Sequence, residues 1–523
     1  MRSLFKVCMW GCILMLWLEV KRSSAQEYRW GDEFRIRSNE TPDALIGRIG
    51  TRFYSTRFRS VPFSNDELAL DIFRSPELTY EGSITLLPRN TYIEDENLKA
   101  LPDFEGVFIM GSRILLFLSA YDKDRSAQVL YGLAYDSLGQ FQFMNRLAET
   151  HNATRANKGQ FRLVPTRDEK ILWLVLSHPQ QRQDPEQFEL YLFNDSLHTL
   201  GRKFLELSYK DRQYEIADLL PDTQGNLFML GRIYVDREER TKGQPDYYFS
   251  LMKLRITPPA TAQEIVFREP EGAAQELALS LSGQHLYLSG FYSESSGSAI
   301  RGTLHYTVQI DSLMLLTKDR MEFEKDFAME ALGEKKPPRS ASLPRFMLRQ
   351  VVPAPSGNVW IIGEQYWMQE VCVRDARGFL YCNYFYNYNS IIAIQVDSSG
   401  RIRKNLVVPK FQNSMDDDGY YLSYALAINE AGMHFIFLDN PRNASVSSPA
   451  EYRVMNRPQR ADVVCISLFF DGTLRKSVLF NTEQAGWVLR PKFSRQIASN
   501  ELVVMAIGGT HRIRMCRITV PAS

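Results

Sequence analysis

The sequence has few cysteines, no excess of charge of either sign and none of the short motifs that mark common enzyme sites. Its 62 Lys and Arg residues are balanced by 61 Asp and Glu residues, which argues against a nucleic-acid-binding protein because such proteins need a basic surface. His-Glu-x-x-His, Gly-x-Ser-x-Gly and Walker sequences are all missing. Zinc-protease, serine-hydrolase and P-loop sites of these types are therefore not indicated, and no cofactor is predicted.

The sequence also lacks an apolar run of the about 20 residues that a membrane-spanning helix needs. Its longest run, residues 7–20, follows a basic start and precedes small residues at 23–25. This order predicts a signal peptide over residues 1–25, and Lys21 and Arg22 directly after the run leave a retained anchor as the alternative. We therefore expect an exported protein that is periplasmic, outer-membrane-associated or extracellular, with no transmembrane span after cleavage.

Four cysteines follow that segment, and export would allow them to form disulfides. Cys372 and Cys382 flank a segment that predicts a short hairpin with its turn near Gly378, so a disulfide across the hairpin is expected. Cys465 and Cys516 lie in apolar, strand-like runs and are predicted to be buried free thiols. Neither pair has the spacing of a metal site.

What the sequence does contain is a repeated pattern of turns and short strands. A polar turn followed by about six apolar residues, often ending in Gly, occurs seven times and is clearest at residues 355–363. Each copy is followed by an alternating strand, an Asp-led turn and another strand, as at residues 394–400. Asp and Ser bond to the local backbone and Gly tolerates positive φ, so these are turn residues. Each unit is predicted to hold four antiparallel strands, which we label A to D in chain order.

These repeats resemble exported bacterial members of the β-propeller superfamily that includes Kelch, NHL and WD40-like proteins, over roughly residues 65–520. The resemblance implies a fold and no functional residue, because the Trp-Asp signature of WD40 blades is absent. The predicted fold is all-β, a seven-bladed propeller of four-stranded antiparallel blades. Residues 26–64 are predicted to be an N-terminal extension and residues 65–523 a single propeller domain.

Closure of the predicted ring depends on the two ends of the chain. The last repeat lacks a strand D, and N-terminal residues 68–73 and 79–87 are strand-like. We expect these residues to join the C-terminal blade and close the ring. An eighth, irregular blade at the N-terminus is the alternative.

The longest connections all fall between strands B and C or between strand D and the next strand A, at one end of the predicted ring. Rigid scaffolds with long loops at one end commonly bind there. We expect a non-catalytic binding or scaffold module for a protein or carbohydrate of the cell envelope, and the oligomeric state stays open. The loop at residues 366–388 is rich in aromatic side chains, which stack on sugars or contact proteins but also pack on one another.

Individual candidates follow from this placement. Two carboxylates at the channel mouth would support the alternative function, a glycoside hydrolase or lyase, although such groups more often pair with arginine. Three consecutive acidic residues could hold a structural Ca²⁺ ion, with a solvated turn as the alternative. The catalytic candidates are Glu364 and Asp439, the ligand-binding candidates are Arg232, Arg349, Tyr366, Trp367 and Tyr420, and the calcium candidates are Asp416, Asp417 and Asp418.

Overall fold

The computed structural model describes residues 27–522, except 61–65, 89, 96–97, 180–182, 240–244, 259, 270–271, 296–298, 375 and 447. The signal peptide predicted at residues 1–25 lies outside the described residues and stays a prediction. Within the described part, no helix is long and apolar enough to cross a membrane.

The described residues form eight sheets of four antiparallel strands, which we number in chain order. Strand β1 spans Glu27–Arg35. Sheet 1 contains β2 (Glu40–Ile49), β3 (Arg52–Arg59), β4 (Glu67–Arg74) and β5 (Thr79–Leu87), and a small hairpin of β6 (Ile93–Asp95) and β7 (Leu98–Ala100) follows. Sheet 2 contains β8 (Asp103–Met110), β9 (Arg113–Asp122), β10 (Ala127–Tyr135) and β11 (Phe141–Glu149). Sheet 3 contains β12 (Gln160–Pro165), β13 (Ile171–Ser177), β14 (Pro185–Asn194) and β15 (Thr199–Lys210).

The next three sheets continue this order. Sheet 4 contains β16 (Tyr214–Pro221), β17 (Asn226–Tyr234), β18 (Tyr247–Arg255) and β19 (Thr261–Phe267). Sheet 5 contains β20 (Ala273–Ser282), β21 (His285–Ser293), β22 (Gly302–Gln309) and β23 (Leu315–Glu322), and helix α1 (Lys325–Leu332) follows. Sheet 6 contains β24 (Phe346–Pro353), β25 (Val359–Arg374), β26 (Leu380–Val396) and β27 (Ile402–Val408), and β28 (Gln412–Met415) adds to β26.

The last two sheets bring the ends of the described chain together. Sheet 7 contains β29 (Ala425–Ile428), β30 (Gly432–Asp439), β31 (Asp462–Phe469) and β32 (Leu474–Asn481), and helix α2 (Thr482–Ala485) follows. Sheet 8 contains β33 (Val488–Ala498), β34 (Glu501–Gly508), β35 (Arg512–Thr519) and, paired with β35, β1. Short 3₁₀ turns lie in the connections at Asp211–Gln213, Arg237–Glu239, Pro441–Asn443, Pro449–Glu451 and Pro458–Arg460.

The eight cores lie between the sheets. Each sheet shares a cluster of buried apolar side chains with the next one in chain order, and sheet 8 shares one with sheet 1. Trp173 and Trp360 are the largest fully buried side chains. Because both faces of a sheet are apolar, no sheet could bury its own side chains alone. Four-stranded antiparallel sheets packed face to face in chain order are the architecture of β-propellers.

The predicted count of seven is not confirmed, since the described part of the chain has an eighth four-stranded sheet. The additional sheet is sheet 1, and its β2 and β3 occupy residues that we had assigned to an N-terminal extension. Strand β3 did not match the repeat because it carries arginines where the other B strands are apolar. Arg57 is accommodated there because its Nε lies 3.0 Å from the carboxylate of Asp71, which is 2% exposed.

An N-terminal strand does join the C-terminal sheet, but it is β1 and not residues 68–73 or 79–87, which lie in β4 and β5 of sheet 1. Strand β1 is mostly charged and exposed, with Gly31 and Phe34 as its buried residues. An outermost strand buries little, so its sequence lacks the alternating apolar pattern that predicts a strand.

The predicted turn chemistry is present. In the turn between β16 and β17, the Asp222 carboxylate accepts hydrogen bonds from the backbone N–H groups of Gln224 and Asn226. Gly225 has φ 81° in the same turn, a conformation that favours glycine. The long connections lie between strands B and C or D and A, so alternating strand direction puts them at one end of the sheets, the long-loop end. The short turns mark the opposite, short-turn end.

A β-bulge recurs in strand A of five sheets. In each, one residue is inserted against strand B at a matching position, and four of the five inserted side chains are polar. These polar side chains bond back to strand B, so the bulge re-aims them into the sheet instead of the solvent. The inserted residues are Asp43, Glu105, Ala217, Gln275 and Arg349, and the polar ones contact Thr56, Ser119, Ser293 and Glu364.

Candidate functional site

A cavity of about 1620 Å³ lies along the A strands of sheets 4, 5 and 6 and is also bounded by residues of sheets 3, 7 and 8. Of the predicted ligand-binding residues, Arg232 and Arg349 line it, together with short turns such as the one at Asp222. Also in the lining, Arg495 of sheet 8 lies 3.4 Å from Glu169 of sheet 3, and these two charges neutralise each other. The cavity is therefore lined by the A strands and their turns.

Two acidic groups of the cavity wall hold neighbouring sheets together. The Asp218 carboxylate of sheet 4 accepts a hydrogen bond of 2.8 Å from the backbone N–H of Leu279 in sheet 5. Glu276 of sheet 5 accepts one from the N–H of Leu348 in sheet 6. Burial raises the pKa of both carboxyls, and these hydrogen bonds oppose that effect. These carboxylates are committed to structural contacts, because losing them would leave buried N–H groups without acceptors.

Glu364, a catalytic candidate, does not line the cavity. It is 0% exposed and lies between two cations, 2.8 Å from Arg349 Nη2 and 2.9 Å from Lys410 Nζ. The Ser423 hydroxyl donates to it as well, at 2.9 Å. Lys410 is also 0% exposed, and its ammonium donates to the carbonyl of Tyr388. Burial lowers the pKa of Lys410 and the adjacent Glu364 charge opposes this. Glu364 and Lys410 therefore form a fully buried ion pair, and Arg349 lies between this pair and the cavity.

Asp439, the second catalytic candidate, is enclosed in the same way. It is 2% exposed, and its carboxylate accepts hydrogen bonds from Lys476 Nζ at 2.8 Å and from Asn443 Nδ2 at 2.7 Å. Neither Asp439 nor Glu364 lines the described cavity. Acid–base chemistry on a glycoside needs carboxyls that reach a substrate and a water molecule, and these two carboxylates contact protein groups instead.

The remaining single-residue candidates make aromatic contacts. The Arg232 guanidinium lies 4.9 Å from the ring centre of Tyr247 and donates to the carbonyl of Gln275. Tyr420 lies under Arg490, with 4.7 Å between the guanidinium carbon and the ring centre. Cations over aromatic rings are stabilising when they are partly removed from water, so these contacts brace the walls around the A strands.

The three calcium candidates attach a turn to the long hairpin of sheet 6. Asp416 accepts a hydrogen bond from the backbone N–H of Tyr384, and Asp418 accepts one from the hydroxyl of Tyr386. Asp417 accepts hydrogen bonds from the N–H of Gly419 and from a serine hydroxyl. Each carboxylate has a protein hydrogen-bond donor, and a calcium site at this turn stays a prediction.

The long hairpin of sheet 6 extends from the long-loop end. Beyond residue 365, β25 and β26 continue past β24 and β27 as a two-stranded extension, which we call the arm (residues 366–388 with β28). The predicted disulfide between Cys372 and Cys382 is confirmed and joins the two strands near the tip. Tyr366, at the base, packs on the Tyr388 ring with 4.5 Å between the ring centres. Cys465 and Cys516 are buried and free, as expected.

The two faces of the arm differ in composition. One face carries Glu370, Arg374 and the tyrosines that bind the acidic turn. The other, which we call the uncharged face, has aromatic, aliphatic and amide side chains and no ionisable group apart from the exposed tyrosine. Its members are Trp367, Gln369, Val371, Val373, Tyr381, Asn383, Phe385 and Asn387 with Asn413 and Met415 of β28, in the register of the paired strands.

Much of the uncharged face is open to solvent. Val373 is 61% and Tyr381 59% exposed near the tip. Gln369 and Asn383 make no side-chain hydrogen bond to any other described residue, which leaves their donors and acceptors available. At the base, the Arg345 guanidinium lies 5.1 Å from the centre of the Trp367 ring and covers part of it. The face thus offers rings, aliphatic groups and free amides on a rigid support.

Sequence reasoning found the arm but missed the partners that enclose the two carboxylates. Lys410, Ser423 and Lys476 come from other connections or strands, 37–59 residues from the carboxylates they contact. No local pattern marks such contacts. The arm was found because two cysteines and many aromatic residues occur close together in one segment.

Comparison with known proteins gives likenesses of shape. No family model matches the chain, and none of the curated proteins matches it. The WD40 domain of SCAP from fission yeast is 7% identical, with 95% of this chain and 98% of that chain covered and a TM-score of 0.38. The β-propeller domain of the Trilobed protease from Pyrococcus furiosus is 9% identical, covering 84% and 98%, with a TM-score of 0.35. The apocarotenoid oxygenase of Synechocystis is 8% identical, covering 68% and 72%, with a TM-score of 0.29.

Proposed function

We propose that this chain is an exported, non-catalytic binding or scaffold module that binds a protein or carbohydrate of the cell envelope through the uncharged face of the arm. The exposed, uncharged face is the observation that carries the proposal. Soluble proteins seldom expose contiguous apolar surface without using it for binding. The disulfide at the tip supports export, because such bonds persist in oxidising compartments.

We also propose that the eight sheets form one closed, eight-bladed ring. Support comes from the cyclic order of the cores, in which sheet 8 packs on both sheet 7 and sheet 1. Strand β1 would latch this ring, because it belongs to the same sheet as the C-terminal strands. A closed ring is rigid, and a rigid base limits the entropy lost when the arm binds a partner.

The alternative function, a glycoside hydrolase or lyase, has less support. It requires open carboxylates, and Glu364 and Asp439 are each enclosed by a lysine and by neutral hydrogen-bond donors. The uncharged face has amides and rings that suit recognition of neutral groups, and none of its members is a carboxylate, a histidine or a lysine.

Photo-crosslinking tests where partners bind. A benzophenone amino acid is placed at Val373 on the arm or, as the matched control, at Met314 in a short turn at the opposite end, which is 57% exposed. Each protein is irradiated with the envelope fraction of the producing cells and, separately, on an array of neutral and acidic glycans. We expect adducts with molecules other than this chain from position 373 and not from position 314.

A second variant ties the adducts to the face. Tyr381→Ala removes an exposed ring without touching a core, and it should reduce adduct formation at position 373 while leaving the unfolding midpoint unchanged. Equal labelling from positions 373 and 314, or labelling from neither, would contradict binding through the arm.

A further inference from the structure

The two edges of the arm differ in how many of their backbone groups have hydrogen-bond partners elsewhere in the described chain. Along β26, strand β28 pairs with residues 385–388, and Asp416 bonds to both backbone groups of Tyr384. Along β25, strand β24 ends its pairing at Gln365. From Met368 to Arg374, no backbone hydrogen bond joins the outer edge to another described residue. One edge is therefore covered and the other is bare.

The pairing geometry identifies which backbone groups point outward along the bare edge. The Cα atoms of Cys372 and Cys382 are 4.0 Å apart, which marks a non-hydrogen-bonded pair, since hydrogen-bonded pairs are about 5.5 Å apart. The N–H and C=O of Cys372 therefore point away from β26, and so do those of Met368, Glu370 and Arg374 by alternation. Tyr366, in the same series, confirms the direction because its N–H bonds to the carbonyl of Arg345 outside the hairpin.

Such an edge can be satisfied by another extended strand, because only a strand presents N–H and C=O groups at the same spacing. The charged side chains along the bare edge indicate which strand would pair with it. Glu370 and Arg374 are exposed, lie on one face and make no ion pair with a described residue. In antiparallel pairing of this edge with an identical edge, centred on Cys372, Glu370 of each copy lies opposite Arg374 of the other. In the same register, Val371 lies opposite Val373 on the uncharged face.

We propose that two copies of this chain associate by antiparallel pairing of the Met368–Arg374 edges about a two-fold axis at Cys372. The contact is isologous, so each attractive pair occurs twice. Two arms would then form one continuous sheet, with the rings at its two ends. This association is independent of the function proposed for the uncharged face, because it uses the backbone edge.

The contact involves one short strand from each copy, well below the about 1,600 Å² that a typical stable interface buries. Dimerisation should therefore depend on protein concentration. It should also weaken with salt, because the two charge pairs remain near solvent.

Charge exchange provides the test. The full mature chain with its disulfide intact is examined by sedimentation equilibrium from low micromolar to several hundred micromolar, as wild type, Glu370→Arg and Arg374→Glu. Each single variant places like charges opposite each other at two positions, so its dimer dissociation constant should rise at least about tenfold. An equimolar mixture of the two variants restores both attractive pairs and should form a heterodimer about as strong as the wild-type dimer. Both residues are exposed, so the unfolding midpoints should not change.

The outcomes separate the possibilities. Recovery in the mixture, with loss in each variant alone, supports both the self-association and its register. A wild-type protein that stays monomeric throughout the concentration range overturns the proposal, and it would leave the bare edge to a different partner. A dimer that is insensitive to both substitutions also overturns it, because the contact would then lie elsewhere. Neither result bears on crosslinking of other molecules at Val373.

Discussion

Glu364→Gln is expected to lower the free energy of unfolding by about 3–5 kcal/mol, the usual cost of breaking a buried ion pair by removing one partner. Lys410 sets this magnitude, because it is fully buried and its ammonium cannot be rehydrated after the carboxylate is lost. Arg349 contributes less, since its side chain is 30% exposed and retains access to water. The substitution keeps the shape of the side chain, so the change measures charge and not volume.

A double-mutant cycle separates the interaction energy between Glu364 and Lys410 from the cost of each single substitution. Lys410→Met leaves Glu364 with Arg349 and the Ser423 hydroxyl, so its cost should be smaller than that of Glu364→Gln. The double variant should be more stable than the sum of the two single changes predicts, with a coupling energy of about 1–3 kcal/mol. Such coupling would identify Lys410 as the counter-charge.

Urea unfolding at pH 7, followed by tryptophan fluorescence, measures these differences. Glu483→Gln is the matched control, because Glu483 also faces an arginine, Arg460 at 3.4 Å, but both side chains are more than 60% exposed. Its effect should stay below about 1 kcal/mol. If Glu364→Gln changes the free energy of unfolding no more than this control does, the buried network is wrong, and Glu364 returns as a candidate for a solvent-facing catalytic carboxylate.

Three further outcomes are expected. Trp30→Ala should lower the free energy of unfolding in urea by about 2–3 kcal/mol. The centre of this β1 ring lies 5.2 Å from that of Phe480, and the contact fixes the N-terminal strand to the core. An unchanged free energy of unfolding would mean that β1 does not latch sheet 8. Replacing Cys372 and Cys382 by serine should speed amide hydrogen exchange across the arm by an amount corresponding to about 3 kcal/mol, because the disulfide closes a loop with a sequence separation of 10. The midpoint of global unfolding should not change. Exchange in the arm that stays as slow as in the wild type would contradict this. Burial and the neighbouring Asp211 carboxyl raise the pKa of Glu186 from 4.5 to about 8, so stability should fall as the pH rises between these values. Glu186→Gln should flatten the profile of stability against pH, and an unchanged slope would refute the assignment.

The blade pattern could be read from the sequence because its determinants are local. The turn at Asp222 is set by hydrogen bonds to residues two and four positions later, and the apolar run that follows forms the buried strand β17. The disulfide of the arm was likewise predicted from two cysteines on opposite sides of a short turn. Each of these features depends on residues within about a dozen positions of one another.

Sheet 1 and strand β1 were missed because long-range contacts stabilise their side chains. Arg57 is acceptable in a half-buried strand because carboxylates on both neighbouring strands, Glu40 of β2 and Asp71 of β4, pair with its guanidinium. The aromatic ring of Trp30 packs on Phe480, which is 450 positions later in the chain. The pattern of apolar residues in one segment does not show partners that are distant in the sequence. A strand of charged residues is therefore predicted as an irregular extension.

The same distinction separates the two kinds of candidate site. Carboxylates near the A strands, such as Asp218 and Glu276, accept hydrogen bonds from backbone N–H groups of the next sheet. Glu364 forms an ion pair with Lys410. Charge in this region therefore holds neighbouring sheets in register, and a ligand there would have to compete with structural hydrogen bonds. The arm has the opposite property, since Gln369 and Asn383 on its face and the backbone of Met368 and Glu370 on its edge have no partner in the described chain. Recognition should therefore depend on the arm, and substitutions there should change binding without changing stability.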